Sequence, residues 1–275
     1  MFPEERKNKI VQLVIKNKSA SVVNLAKIFN VSEETIRRDL KHIQEENIIK
    51  KTYGVATLSD EFNSINVTTI QKRKLKEHKE KMAIAKEAIK LLYDKTFILL
   101  DAGSTTECIA KKLKKHNYNK NVSIITNGLN VAEASSKINH ASVFLLGGEL
   151  QNETLSIVGP LVNKEIKNYN IDIAFLGATG ISIEDDFCGF YSSNIYEVEV
   201  KKAIVSSARV VVVVADHTKF GKHGLSPFCN FENIDYLITS DLLEKSILEK
   251  LTNNYKTKLI ITKMNYKIQV KGKKC

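Results

Sequence analysis

Val31-Ser-Glu-Glu-Thr-Ile-Arg-Arg-Asp-Leu40 reads as the start of a short amphipathic helix with a basic outer face. Ser32 stands where a hydroxyl can accept the orphan amides of a first helical turn, and Glu33 and Glu34 suit the positive end of the helix dipole. Ile36, Leu40 and Ile43 fall at i, i+4 and i+7 and form a buried stripe, which leaves Thr35, Arg37, Arg38, Lys41 and His42 facing outward. Working upstream, Asn30-Val31 is a break, and Val22, Val23, Leu25, Ala26 and Phe29 make a second short helix. Ser19-Ala20-Ser21 interrupts again, and Ile10, Val11, Leu13 and Val14 give one apolar face to a helix over residues 4–16. Two helices joined by a short turn, the second basic on its outer side, follow the helix-turn-helix plan, in which that helix enters the major groove and arginine bonds guanine through two donors.

Working downstream, Ile48 and Ile49, then Lys50-Lys51-Thr52-Tyr53-Gly54, then Val55-Ala56-Thr57-Leu58 read as a hairpin around a glycine turn. Its basic tip would rest on DNA phosphates, making residues 1–58 a winged helix-turn-helix. The DNA-contacting set is then Ser32, Thr35, Arg37, Arg38, Lys41, Lys50, Lys51 and Tyr53. A generic three-helix domain with a solvated face is the alternative. Against it, two of the five arginines of the chain are adjacent on this one helix.

The charge distribution supports the same division. The chain has 275 residues and a net charge of +11. On the total alone, an anionic partner and a genome that simply favours lysine are both open. Residues 1–58 carry 11 basic and 7 acidic groups, residues 59–95 carry 9 and 6, residues 96–262 carry 17 and 18, and residues 263–275 carry 5 and none. A drift towards lysine would spread evenly; here a neutral block lies between basic segments. The longest wholly apolar run, Val210–Ala215, is six residues where a membrane-spanning helix needs about 20. The start, MFPEERKNKI, has charges where a secretory signal would be apolar, and Cys108, Cys188, Cys229 and Cys275 form no CxxC pair. The expectation is a cytoplasmic protein without membrane contact, disulfide framework or structural zinc.

The run Val31–Leu40, with Arg6 upstream, resembles the DNA-binding signature of the DeoR/GlpR family of bacterial transcription repressors, matching at Ser32, Thr35, Ile36, Arg37, Arg38, Asp39 and Leu40. The Ile-Lys-Lys-Thr-Tyr-Gly-Val-Ala segment resembles that family's wing.

Residues 59–75 show neither helical nor alternating order and read as an extended linker, with a basic cluster at Gln71-Lys-Arg-Lys-Leu75. A helix with Ala85, Ala88, Ile89 and Leu92 on one side follows. Beyond it, candidate strands at 96–100, 122–126, 142–146, 171–176, 210–215, 236–239 and 258–262 alternate with helical stretches. Several are continuous β-branched runs, the mark of strands buried on both faces, so residues 76–262 are expected to be an α/β domain with a mostly parallel sheet. The tail 263–275 is basic and carries no assigned role.

In such sheets, ligands bind beyond the carboxyl ends of the strands. Asp101-Ala-Gly103-Ser104-Thr105-Thr106 follows the first strand and opens a helix, where backbone amides and hydroxyls favour an anion. Thr126-Asn127-Gly128, Gly147-Gly148-Glu149, Gly177-Ala-Thr-Gly180 and Asp216-His-Thr-Lys219 follow later strands, and the last supplies a cation. Together they suggest a small phosphorylated ligand. The resemblance extends to this half through Asp101–Thr106, Thr126-Asn127, Gly147-Gly148, residues 156–160, the Glu197–Lys202 segment and Asp216–Gly221. It implies a domain similar in fold to ribose-5-phosphate isomerase that senses phosphorylated sugars. By resemblance, Ser104, Thr105 and Thr106 would hold the phosphate, and Asp101, Asn127 and Lys219 would approach the sugar or its phosphate.

Other readings lack their residues. GxGxxG is absent, and Gly221-Lys222 is followed by His223 rather than a P-loop hydroxyl. His217, His223 and Cys229 have no metal-ligand spacing, Asp185-Asp186 reads as a solvated turn, and Cys108 and Cys188 read as packing residues. No cofactor is expected. An isomerase is the main rival, but isomerases carry Asp-Gly-Ala-Asp where this chain has Leu176-Gly-Ala-Thr179, leaving Glu197 and Glu199 as the only bases to consider. A third reading has a purely structural second domain, against which the intact anion loop argues. The sequence therefore points to a repressor that acts as a dimer or tetramer on operator DNA and is released by a sugar phosphate. It is not expected to be an enzyme.

Overall fold

The computed structural model describes residues 3–17, 19–45, 49–52, 54–58, 69–115, 121–183 and 188–264, and divides the chain into two compact units, Met1–Lys76 and Glu77–Cys275. The first unit begins with α1 (Pro3–Asn17), the short strand β1 (Ser19–Ser21), α2 (Val22–Phe29) and α3 (Glu33–Glu45). The hairpin β2 (Ile49–Thr52) and β3 (Val55–Leu58) and the helix α4 (Ile70–Leu75) complete it. Ser21 caps α2 by accepting from the Asn24 amide (3.2 Å), and Asn30 ends that helix in a left-handed conformation, which asparagine tolerates. Ile10, Val14, Leu25, Ile36, Leu40 and Ile43 meet in one core, with Ile49 and Ala56 from the hairpin and Leu75 from α4.

Two features differ from the sequence reading. Ser19–Ser21 does more than interrupt two helices: it pairs antiparallel with β3 and makes the wing three-stranded. Ile70–Leu75 is a helix rather than extended chain; Thr69 caps it through the Lys72 amide, and Ile70 and Leu75 are buried. The basic Lys72-Arg73-Lys74 cluster rides on this helix.

The second unit runs α5 (His78–Ala88), β4 (Thr96–Leu100), α6 (Ser104–Lys115), β5 (Val122–Thr126), α7 (Leu129–Ser135) and β6 (Ala141–Leu145). It continues with β7 (Glu149–Gln151), β8 (Ser156–Val158), α8 (Pro160–Ile166), β9 (Ile171–Gly177), β10 (Gly180–Ser182) and β11 (Gly189–Ser192). Last come α9 (Ile195–Ser207), β12 (Ala208–Val214), β13 (Ser226–Cys229), β14 (Tyr236–Ser240), α10 (Lys245–Asn254) and β15 (Lys258–Thr262). The main sheet has the order β15-β14-β12-β9-β4-β5-β6, and every pairing in it is parallel. Val212 and Val214 pack on the α5–α6–α7 side, while Val211 and Val213 pack on the side of α8, α9 and α10. That two-sided burial is why β12 needs an unbroken valine run. An antiparallel sheet, β10-β11-β13, and the hairpin β7-β8 flank the main sheet.

Because the main strands are parallel, their carboxyl ends share one rim. The segments after β4, β5, β6, β9 and β12 all start there, so the topology brings the five sequence-selected loops to one side of the sheet.

Candidate functional site

The first unit offers a basic helical face. Ser32 accepts from the Thr35 amide (3.2 Å) and its hydroxyl meets that of Thr35 at 2.9 Å, so both residues fix the start of α3. Ile36, Leu40 and Ile43 are buried, and Arg37, Arg38, Lys41 and His42 are exposed. The Arg37 guanidinium meets Glu33 one turn earlier at 3.1 Å, a solvent-exposed pair of the kind that exchanges easily for another anion. Beneath that face, Arg6 of α1 grips Asp39 through two bonds, Nε to Oδ2 at 2.5 Å and Nη2 to Oδ1 at 3.2 Å. Both are buried, and the bond to Asp39 holds the Arg6 guanidinium above its ordinary range. Arg6 and Asp39 thus orient α3 and leave Arg37 and Arg38 for the outside. Lys50 is exposed on β2, and Gly54 takes the positive φ (+79°) of the two-residue turn. The side chain of Lys51, and Tyr53 altogether, lie outside the described residues.

In the second unit, the loop after β4 is the centre of a hydrogen-bonded set. Ala102 donates its amide to Asn127 Oδ1 (3.0 Å), and Asn127 also donates to the Ile157 carbonyl (3.3 Å). Thr126 donates to the Leu100 carbonyl at 2.5 Å and accepts from the Gly128 amide at 3.0 Å. The Gly103 carbonyl receives the Glu107 amide, which begins α6, together with Thr106 Oγ1 (3.1 Å) and Asn130 Nδ2 (3.1 Å). The next amides, of Ser104, Thr105 and Thr106, belong to the first helical turn and have no partner within the helix. Ser104 and Thr105 are each only 7% exposed, and their hydroxyls, with no bond to the described residues, are not among the atoms sealed from solvent. Reachable hydroxyl and amide donors at a helix start suit an anion.

Beside them, Asp101 Oδ2 accepts from the Gly177 amide (3.2 Å) and is ion-paired with Lys201, which also donates to the Gly177 carbonyl (2.9 Å). Burial pushes the Asp101 carboxyl up, while the Lys201 ammonium pulls it down and the nearby Glu197 adds to the rise. Glu197 is itself buried and accepts from Ser156 (2.9 Å) and Ser192 (3.0 Å); Glu199 is exposed and paired with Lys202. Glu197 and Lys201 stand one turn apart on α9, so one helix face delivers both to the rim.

The remaining expected residues are engaged elsewhere. Gly147 donates to Glu165 (3.3 Å), and Gly148 lies where a Cβ would meet the Val158 carbonyl at 2.7 Å. The turn after β12 engages α5: Asp216 faces Lys81 at 3.8 Å, and His217 bonds Glu80 through both its amide and Nδ1 (2.7 Å each). Lys219 is half-buried on the single turn His217–Lys219. Glu77, Glu80 and His217 bring ligand-type atoms within 4.8 Å, but both Glu80 oxygens already accept hydrogen bonds from His217, and one also from Ser240. The three residues weighed as metal ligands have separate partners: His223 meets the Tyr191 ring edge-on, and burial pushes the Cys229 thiol up to about 12. Asp185 and Asp186 lie outside the described residues.

Residues 6–62 match the DeoR-like helix-turn-helix domain, and residues 76–241 match the DeoR C terminal sensor domain. The chain belongs to the DeoR family of transcriptional regulators. It is 36% identical to the HTH-type transcriptional regulator GolR of Listeria innocua over 91% of this chain and 95% of that one. With the glycerol-3-phosphate regulon repressor of Escherichia coli it shares 31% identity over 93% and 98%. Among solved structures, ribose 5-phosphate isomerase A of Methanocaldococcus jannaschii is similar at 22% identity and a TM-score of 0.37, over 51% of this chain and 53% of that one. No described helix is long and apolar enough to cross a membrane.

As a DeoR-family chain it is a DNA-binding transcriptional regulator, and its sensor half contains one charged group that sequence reasoning did not single out. Lys201 lies inside the segment that carries the resemblance, but on its helix it reads as one more surface lysine. Its partner Asp101 is 100 residues away, and only the fold brings them together. A cavity of about 1500 Å³ is lined by Tyr191, Phe231, Tyr236 and Tyr255 among others, and by none of Asp101, Ser104, Thr105 and Lys201.

Proposed function

We propose that this regulator represses a sugar-metabolism operon and is released from its operator by a phosphorylated sugar. The observation that carries this is the pair of hydroxyls of the largely buried Ser104 and Thr105 at the start of α6, without a bond to the described residues, beside the Asp101–Lys201 pair. A phosphate supplies the acceptors that those hydroxyls and first-turn amides lack. Relatives named for glycerol 3-phosphate and for the aga operon support a phosphorylated carbohydrate as the ligand class. On the DNA side, Arg37 and Arg38 would read base edges, Lys41, Lys50, Lys51 and Tyr53 would meet the backbone, and Ser32 and Thr35 would approach it from the helix start. Helices of this kind read paired half-sites, so the working form is at least a dimer.

Turnover of the sugar is not proposed. Leu176 and Thr179 stand where an isomerase would have carboxylates, and Glu197 is committed to Ser156 and Ser192. Release requires that the ligand bind the DNA-free arrangement better than the DNA-bound one.

The test is a thermal-shift screen against sugar phosphates followed by operator titration. A true ligand at 100 times its Kd stabilises by about 2.7 kcal/mol. Thr105→Val should bind operator normally and lose release, while Arg37→Ala and Arg38→Ala should lose operator affinity and keep the thermal response. Normal release in Thr105→Val, or unchanged operator affinity in the arginine variants, would remove those residues from their roles.

A further inference from the structure

We propose that the outer edge of β6 is the surface on which a second copy of this chain docks, strand against strand about a two-fold axis. The need for a second copy rests on the operator-reading function proposed above; the choice of surface rests on the sheet. β6 ends the seven-strand order: one edge pairs with β5, from Val122 opposite Ala141 to Thr126 opposite Leu145, and among the described residues no strand pairs with the other edge. Exposed edges are normally blunted by lysine, proline or a bulge, because a row of free amides and carbonyls recruits another strand. Ala141-Ser-Val-Phe-Leu145 contains no charge and no proline. The opposite end of the sheet is guarded: β15 opens with Lys258 and is followed by Lys263.

The side chains around the β6 edge are also unfinished. Phe144 packs against Phe97 (6.1 Å between centroids) and Tyr169 (6.3 Å), yet stays 43% exposed, and Leu145, its neighbour on the other face, is 42% exposed. Glu165 reaches the Gly147 amide just past the end of β6. Leu161, one turn before Glu165 on α8, shares that face and is 69% exposed. An uncharged edge offers a nucleic acid no cation to hold phosphate, and a lipid surface cannot satisfy the free amides of a strand. A second β6 satisfies both requirements. Antiparallel pairing about a two-fold supplies the missing hydrogen bonds, sets apolar side chains against apolar side chains, and closes the assembly. Pairing β6 with β15 of another copy would be head-to-tail and build an open filament rather than a closed pair.

The test is the mass of the full-length chain in solution by sedimentation equilibrium. Wild type should sediment at a multiple of 31.0 kDa. Phe144→Lys/Leu145→Lys should halve that mass with an unchanged circular dichroism spectrum, and Ser142→Lys, at a position already exposed and polar, should weaken association without endangering the fold. Leu225→Lys, on the segment leading into β13, should leave the mass unchanged. A monomeric wild type, or well-folded β6 variants of undiminished mass, would overturn the proposal. A monomer that still bound operator and was released by a sugar phosphate would sink the docking surface alone. A dimer that split as expected but ignored operator DNA would sink the function and leave the surface standing.

Discussion

Removing Asp39 should unfasten α3 without touching its basic outer face. Asp39 and Arg6 are 5% and 8% exposed at their side chains and joined by two hydrogen bonds, so Asp39→Ala strands a guanidinium in the core of the first unit. Breaking a buried pair by deleting one partner costs about 3–5 kcal/mol. The lower end of that range, about 3 kcal/mol, is the expected cost for a unit this small. With a urea slope of about 1–3 kcal/mol/M, the midpoint of that unit should fall by about 1–3 M. Urea titration followed by hydrogen exchange in peptides covering residues 33–45 reads this directly. Operator binding should weaken with the loss of order, while the sensor half keeps its thermal response to ligand. The double variant Arg6→Met/Asp39→Leu should recover most of the stability, because replacing both charges with apolar groups of similar volume is often neutral. A midpoint within about 0.3 M of wild type in Asp39→Ala, or a double variant as unstable as the single one, would refute the argument that an uncompensated charge is the cause.

Two further outcomes are expected in the sensor half. Burial already makes the folded chain hold the Asp101 proton to a higher pH than the unfolded chain, whose carboxyl titrates at about 3.9, and Lys201→Met removes the ammonium that opposes this, so the proton is held to a higher pH still. The deficit against wild type is therefore smallest at low pH, where both chains hold the proton, and grows as pH rises through the titration of Asp101: about 3–5 kcal/mol once wild-type Asp101 is ionised should shrink on acidification, and a deficit that grew as pH fell, by urea titration, would contradict it. Gly128→Ala sets a Cβ 2.8 Å from the Ala102 backbone and should cost about 1–3 kcal/mol while weakening ligand response more than operator binding; an unchanged melting temperature would show that the loop yields freely.

Local pattern carried the elements and left out the distant pairs. The strands at 96–100, 122–126 and 258–262 were readable to the residue, because polar and turn residues bound each short apolar run. The others shifted by one or two residues: the run of valines marks the buried part of β12, but the strand starts earlier, at Ala208, where Ala208 pairs with Ile171. Ser19–Ser21 carries no strand signal of its own and becomes β1 only because β3 lies opposite. Ile70–Leu75 was hidden because six residues with apolar groups at their two ends show no helical period. In the site, the Asp101–Thr106 loop was legible from glycine, hydroxyls and a helix start. Lys201 and the buried role of Arg6 were not, since each depends on a partner far along the chain.

The charge count has the same limitation and the same remedy. The sensor's buried charges come with compensation: Asp101 with Lys201, Asp216 with Lys81, and Glu80 with His217 and Ser240. A buried cation must bring its own anion, so Lys81 and Lys201 leave the net charge of the domain unchanged. In the first unit, Arg6 follows that rule and is spent on Asp39, whereas Arg37, Arg38 and Lys41 are exposed. Only cations that the fold leaves at the surface can neutralise phosphate and release counterions. The part of the +11 that could reach DNA therefore includes the exposed cations of the outer face of α3 and the wing, in keeping with the proposed operator contact, whereas Lys81 and Lys201, paired inside the sensor, add nothing to that attraction.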